Sequence, residues 1–219
     1  TAPKDKEIIE EVKKVTDYHQ VKTMDKDEAV KAGLYQVIGA EIDDAYMVEL
    51  KKQIIHPEII KEVADDIRIV YSPFHGTGNV PVRRILSELG FKHVYVVPEQ
   101  ELPDPDFTTL DYPNPEDPKA FTLALKLAKE KNADIVLATD PDADRLGIYA
   151  LDTKSGEYVP FTGNMSGMLI AEYILRERTA TATMPANPAL VTTIVTTNMA
   201  KAISDDYNVK CIEVLTGFK

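Results

Sequence analysis

The sequence predicts an α/β protein: a mainly parallel, mixed sheet flanked by helices, followed by a second, incomplete α/β unit of the same type. Three observations lead there. From residue 67 onward, short β-prone runs alternate with runs of helical period. Turn signals such as Gly90 and Lys154-Ser155-Gly156 punctuate them. An acidic run, D-P-D-A-D-R, directly follows one apolar strand, and open α/β sheets place their ligands at the carboxyl ends of strands.

The elements follow in order. Lys4 to Val15 carries Ile8, Ile9, Val12 and Val15 at helical spacing. Residues 16–42 read as irregular or extended. Asp43 is placed to cap a helix running to Ile55, with Tyr46, Met47, Leu50 and Ile54 on its apolar face. His56-Pro57 breaks it, and a short helix follows to Asp65. Ile67–Tyr71 is a strand, Asn79–Leu89 a helix ended by Gly90, and His93–Val97 a strand. Pro98–Pro118 is a long loop rich in Pro, Asp and Asn. Lys119–Lys131 is a helix and Asp134–Thr139 a strand. Gly147–Leu151 is a further strand, which its short connection makes antiparallel. Thr162-Gly163-Asn164 opens a helix to about Arg178, and 179–189 is a surface loop. Leu190–Thr197, Asn198–Asp206 and Lys210–Leu215 read as strand, helix and strand. Only two strands are thus legible for the second sheet. The expected division is 1–60, 61–158 and 159–219.

Bulk properties exclude several classes. Of 219 residues, 44% are hydrophobic, enough for a proper core. The formal net charge of -11 leaves no basic stripe for a nucleic-acid partner. A phosphorylated substrate is still compatible, since it needs only a local positive site. The single cysteine, Cys211, rules out a disulfide within the chain and fits a reducing compartment as a buried, inert thiol. No apolar run has the length of a membrane span. The opening T-A-P-K-D-K-E lacks a signal-like apolar region. A cytoplasmic location is the expectation.

Asp140, Asp142 and Asp144 are like charges at alternate positions after the strand Ile135-Val136-Leu137-Ala138-Thr139. Their mutual repulsion needs a positive offset. A hard divalent cation such as Mg²⁺ suits carboxylate oxygens and keeps positions for water or a phosphate. Arg145 adds a guanidinium that matches a phosphate in bidentate geometry. A solvated acidic loop is the bland alternative. The spacing, which lets one loop wrap one ion, the apolar strand before it and the stiffening Pro141 favour the metal. An EF-hand fails, because its sixth and twelfth positions would be Arg145 and Leu151. A haloacid-dehalogenase-type phosphatase, with Asp140 as nucleophile, also begins Asp-x-Asp after a strand. It normally carries threonine or valine two residues later, where this chain has Asp144.

Together these residues resemble the α-D-phosphohexomutase family, in its phosphoglucomutase and phosphomannomutase branch. D-P-D-A-D-R is similar to its Mg²⁺ loop, and Ser72-Pro73-Phe74-His75-Gly76-Thr77-Gly78 to a turn of its second domain. Pro103-Asp104-Pro105-Asp106-Phe107 and Tyr112-Pro113-Asn114-Pro115-Glu116 resemble its PDPDFP…PNPE loop. Thr162-Gly163-Asn164 resembles the opening of the third domain, and Thr216-Gly217-Phe218-Lys219 a segment within it. The matches cover the end of domain 1, all of domain 2 and part of domain 3.

The resemblance implies an isomerase that interconverts hexose 1-phosphate and hexose 6-phosphate through a phosphoserine and a bisphosphate intermediate. Asp140, Asp142 and Asp144 are then the Mg²⁺ ligands and Arg145 lies beside the transferring phosphoryl group. Thr216 and Gly217 resemble a sugar-contacting turn. His75 is either a substrate contact or a structural turn histidine. Lys219 reads as a frayed terminus, and His19, His56 and His93 as structural or exposed. Gly76-x-Gly78 is no dinucleotide fingerprint, because the third glycine position holds Pro81. None of Ser72, Ser87, Ser155, Ser166 and Ser204 lies in the family's T-A-S-H-N-P phosphoserine context. The chain is therefore expected to be a fragment, inactive alone, that self-associates through its truncated last domain. A phosphatase using Asp140 and a non-catalytic binding module are the alternatives.

Overall fold

The computed structural model describes residues 3–217. Phe218 and Lys219 of the last motif, and Thr1 and Ala2 of the opening segment, lie outside the described residues.

The expected architecture is present. Helix α1 (Lys4–Lys13) is followed by a 3₁₀ turn at Tyr18–Gln20, α2 (Lys26–Lys31), α3 (Gly39–Lys51) and α4 (Pro57–Val63). Then come β1 (Arg68–Ser72), α5 (Asn79–Glu88), β2 (His93–Val96), α6 (Pro98–Glu101), a 3₁₀ turn at Pro118–Phe121, α7 (Thr122–Lys131), β3 (Ile135–Thr139), β4 (Leu146–Asp152) and β5 (Glu157–Phe161). The chain continues as α8 (Gly163–Ala180), β6 (Ala189–Thr193), α9 (Met199–Asp206) and β7 (Lys210–Val214).

Several elements depart from expectation: a one-turn helix, α6, opens the stretch read as a long loop, and α2, α3, β5 and β6 each differ for a local reason. α2 stands inside the stretch read as irregular: Asp25 caps it by accepting hydrogen bonds from the N–H groups of Asp27 and Glu28. α3 begins at Gly39 rather than after Asp43, and its one buried residue is Met47. β5 lies in a stretch to which the sequence assigns no element, and it contains Pro160. It is an edge strand, where a residue without an N–H is tolerated. β6 is also shorter than its apolar run. Thr196 turns the chain back by donating its N–H to the Thr193 carbonyl and accepting from the Thr193 N–H at its hydroxyl.

The first sheet has the order β2-β1-β3-β4-β5. β1 runs parallel to both β2 and β3, and β4 and β5 add antiparallel. The two inner parallel strands, β1 and β3, carry the buried residues: Val70, Tyr71, Ser72, Val136 and Ala138 are all fully covered, while the edge strand β2 is half-buried. Phe121 leads into α7, and Ala124 and Ala128 let that helix lie close to the sheet. Phe121 meets the rings of Phe74 and Tyr149 at 5.7 and 4.7 Å between centroids. Aromatic contacts of this kind add about 0.5–1.5 kcal/mol each beyond the area they bury. The Tyr158 hydroxyl on β5 reaches the carbonyls of Ala128 and Ala133, tying the edge strand to the end of α7.

The last unit is a β-α-β crossover. β6 and β7 pair in parallel with α9 between them, and α8 packs against α9, β4 and β5. Its two-stranded sheet leaves Val191, Ile194, Val195 and Leu215 exposed. Among the described residues no helix is long and apolar enough to cross a membrane.

Candidate metal centre

β3 ends at Thr139, and the next six residues turn the chain back into β4. Asp140 is 1% exposed, whereas Asp142 and Asp144 reach into solvent. The Asp140 carbonyl accepts from the Ala143 N–H at 2.9 Å, closing a turn in which Ala143 takes a φ of 58°. Arg145 then grips Asp140 twice: its N–H donates to Oδ1 at 3.0 Å and its Nε to Oδ2 at 2.6 Å. One ligand oxygen from each of Asp140, Asp142 and Asp144 lies within 4.8 Å of the others.

The donor set suits a hard cation. Octahedral Mg²⁺ holds oxygens at about 2.1 Å, so opposite ligands stand about 4.2 Å apart. The separations in the cluster, none above 4.8 Å, are of that order. Asp142 and Asp144 are exposed and have room to close on an ion, while Asp140 is already fixed. The electrostatics agree. Burial pushes Asp140 up, but the hydrogen bonds from the Arg145 N–H and guanidinium outweigh it and hold the carboxyl below its usual range. Asp144 is raised, by its hydrogen bond to Asp140 and the nearby Asp142 charge. The loop thus carries more negative charge than its own arginine offsets.

Two other segments shape the loop. The turn after β1 lies against it: Thr77 donates both its N–H and its hydroxyl to the Pro141 carbonyl, at 2.8 and 3.1 Å. A Cβ on Gly76 would sit 2.4 Å from Pro141 Cα, so only glycine permits this approach. Below, the Tyr71 hydroxyl bonds Thr139 Oγ1 at 2.8 Å in a buried pair, and Gly78 leaves room for both. The P-N-P-E segment forms the opposite wall. Asn114 Oδ1 accepts from the Arg145 guanidinium at 3.2 Å. Arg145, Gly147, Glu116 and the Thr162–Asn164 turn line a cleft of about 550 Å³.

His75 is 7% exposed, and both ring nitrogens are engaged within the chain, with the Leu102 carbonyl at 2.7 Å and Thr109 Oγ1 at 2.8 Å. It ties the P-D-P-D-F segment to the turn. Thr216 and Gly217 follow β7 on the surface, with Gly217 at a φ of 78°. The structure therefore gathers Asp140, Asp142, Asp144 and Arg145 in one loop, with His75 in the adjoining turn. Asn114 was not singled out as a site residue, although its motif was; nothing local marks it, because its partner is 31 positions away.

A sheet of this order with an acidic loop at the carboxyl end of its central strand defines an open α/β protein of the class that binds ligands at that edge. The sequence matches the family model "Phosphoglucomutase/phosphomannomutase, alpha/beta/alpha domain II" over residues 44–153 and that for domain III over 162–219. The chain belongs to the phosphoglucomutase/phosphomannomutase family of α-D-phosphohexomutases. It is 34% identical over 185 residues to the "Probable phosphomannomutase" of Haemophilus influenzae, covering 84% of this chain and 36% of that protein. It is 40% identical over 154 residues to the phosphoglucomutase of Staphylococcus epidermidis, covering 70% and 27%. A solved structure from Thermus thermophilus superposes with a TM-score of 0.59 at 20% identity, covering 80% of this chain and 36% of that one. A phosphoglucomutase/phosphomannomutase family protein from Burkholderia thailandensis gives 0.52 at 20%, covering 74% and 33%. The chain thus spans about a third of the length of these relatives.

Proposed function

We propose that this chain is the cation-loop segment of a phosphohexomutase, divided near residues 60 and 158 into the end of one domain, a complete second and part of a third. The observation that carries the reading is the trio of carboxylates within 4.8 Å, with Asp140 locked by Arg145. Asp140, Asp142 and Asp144 would hold Mg²⁺, which when bound supplies charge neutralisation for a transferring phosphoryl group. Arg145 has a different task. Its Nε and N–H are spent on Asp140, and one terminal nitrogen on Asn114, so the guanidinium plane is fixed at the cleft mouth. That preorganises it to meet phosphate oxygens without reorganisation. His75 serves by holding the turn, and Thr216 and Gly217 are assigned to the sugar side.

In the whole enzyme the substrate is a hexose phosphate, the reaction an exchange between its 1- and 6-phosphates, and the location cytoplasmic. The isolated chain is inactive and self-associates through the exposed apolar residues of its last unit. A phosphatase with Asp140 as nucleophile is disfavoured: both family matches are to mutase domains, and Asp144 stands where that phosphatase motif carries threonine or valine.

The test is a titration with Mg²⁺ and Mn²⁺ followed by thermal unfolding. Saturating cation is expected to raise Tm, and Asp142→Asn to weaken binding at least tenfold, about 1.4 kcal/mol. No stabilisation by either ion, together with no effect of Asp142→Asn, overturns the ligand assignment.

A further inference from the structure

We propose that Gln100 is a positioning residue for the acidic loop; the proposal rests on the cation reading above. Gln100 lies on the short helix α6 and is completely buried. Its Oε1 accepts from the Ser72 hydroxyl at 2.7 Å, and that hydroxyl oxygen accepts from the Phe74 N–H at 3.3 Å. Its backbone carbonyl accepts from the His75 N–H at 2.9 Å. One residue therefore fastens the turn after β1 on both sides of its tightest point.

That point needs fastening. Phe74 and His75 are successive non-glycine residues with φ of 45° and 63°. Such backbone persists only where its surroundings hold it. The turn they make carries Gly76 and Thr77 onto Pro141, the residue between the first two aspartates. The line of contact runs Gln100, Ser72 to His75, Thr77, Pro141, and then Asp140 and Asp142. The Gln100 Nε2 has no hydrogen-bond partner among the described residues. A buried unpaired amide is a cost that an apolar residue of equal size avoids. The side chain is thus explained by its oxygen and not by filling space.

Gln100→Met keeps the volume and removes the acceptor. Ser72→Ala breaks the same bond from the other side and decides the matter if the first variant does not fold. The readouts are Mn²⁺ affinity of the 219-residue chain and amide hydrogen exchange at Thr77 and Arg145, with α7 amides as the internal control. Mn²⁺ binding is expected to fall about tenfold or more, as for other groups that orient metal ligands. Exchange at Thr77 and Arg145 is expected to quicken while α7 is unchanged. Wild-type exchange at Arg145 in a folded variant overturns the proposal. So does acceleration spread equally through α7, which marks a merely structural loss. If the parent chain binds no Mn²⁺, the cation reading fails, and the Arg145 amide still decides whether Gln100 sets the loop.

Discussion

Gly76 is the residue at which the site tolerates least. A methyl group there would meet Pro141 Cα at 2.4 Å and its carbonyl oxygen at 2.6 Å, and these are backbone atoms that cannot swing aside. Gly76→Ala is expected to destabilise by about 1–3 kcal/mol, as overpacking does, and to weaken Mn²⁺ binding with it. Gly163→Ala is the matched control. Its Cβ would meet only Glu116 Oε1, at 3.5 Å, so it should be neutral or stabilising by up to about 1 kcal/mol, since alanine suits a helix better than glycine. Urea midpoints for the two variants check both. At this scale the aspartates and Arg145 were legible because a run of like charges is costly and demands a cause. Gln100 and Asn114 were not, because what defines them are partners 28 and 31 positions away. His75 was half legible: its turn was seen, but not the Leu102 carbonyl and Thr109 hydroxyl that engage its ring.

Among the elements, α4 and α8 meet through His56. Its Nδ1 contacts Glu58 at 2.7 Å and its Nε2 contacts Glu177 at 2.9 Å, with the Tyr173 ring at its edge. The hydrogen bonds to Glu177 and then Glu58 raise the imidazole above its ordinary value. The folded state therefore binds the proton more tightly than the unfolded chain. The resulting stability is fully present below the usual histidine value of about 6.5 and is lost as pH rises through the higher folded-state value. His56→Gln is accordingly expected to lower Tm more at pH 6 than at pH 8.5. An equal drop at both pH values would show that the clasp is not protonation-dependent. The sequence showed His56-Pro57 as a helix breaker but offered no sign of its contact with α8, because Glu177 is 121 positions on. β5 was hidden for another reason. Pro160 argues against a strand unless the strand is known to be an edge, which is a property of the sheet and not of the segment.

On the scale of the whole molecule, the chain has two surfaces of opposite character. The net charge of -11 keeps copies apart at low salt, while Val191, Ile194, Val195 and Leu215 are exposed beside the two-stranded sheet. Sedimentation is expected to show association that grows with protein and salt concentration, and Val195→Lys to suppress it. A single monomeric species at every concentration would remove the proposed self-association. In the same preparation, no turnover of glucose 1-phosphate is expected. Activity above that of a variant lacking Asp140, Asp142 and Asp144 would show that the segment is self-sufficient. The α/β class was legible at this scale, because the alternation of elements repeats along the chain. The packing of α8 against β4 and β5 was not, since it depends on faces that only the folded sheet presents.

The contact between Thr77 and Pro141 has a consequence in time. β3, the acidic loop and β4 are neighbours in sequence and can pair as a hairpin. The turn that completes the loop is 64 positions upstream and reaches it only after β1 has found β3. Closing so long a span is slow compared with hairpin formation, which takes about 1–10 μs. The aspartates are thus expected to come together early and to acquire their final spacing late. In a stopped-flow refolding experiment, cation capture should return with the slowest phase, after most of the helical signal has been regained.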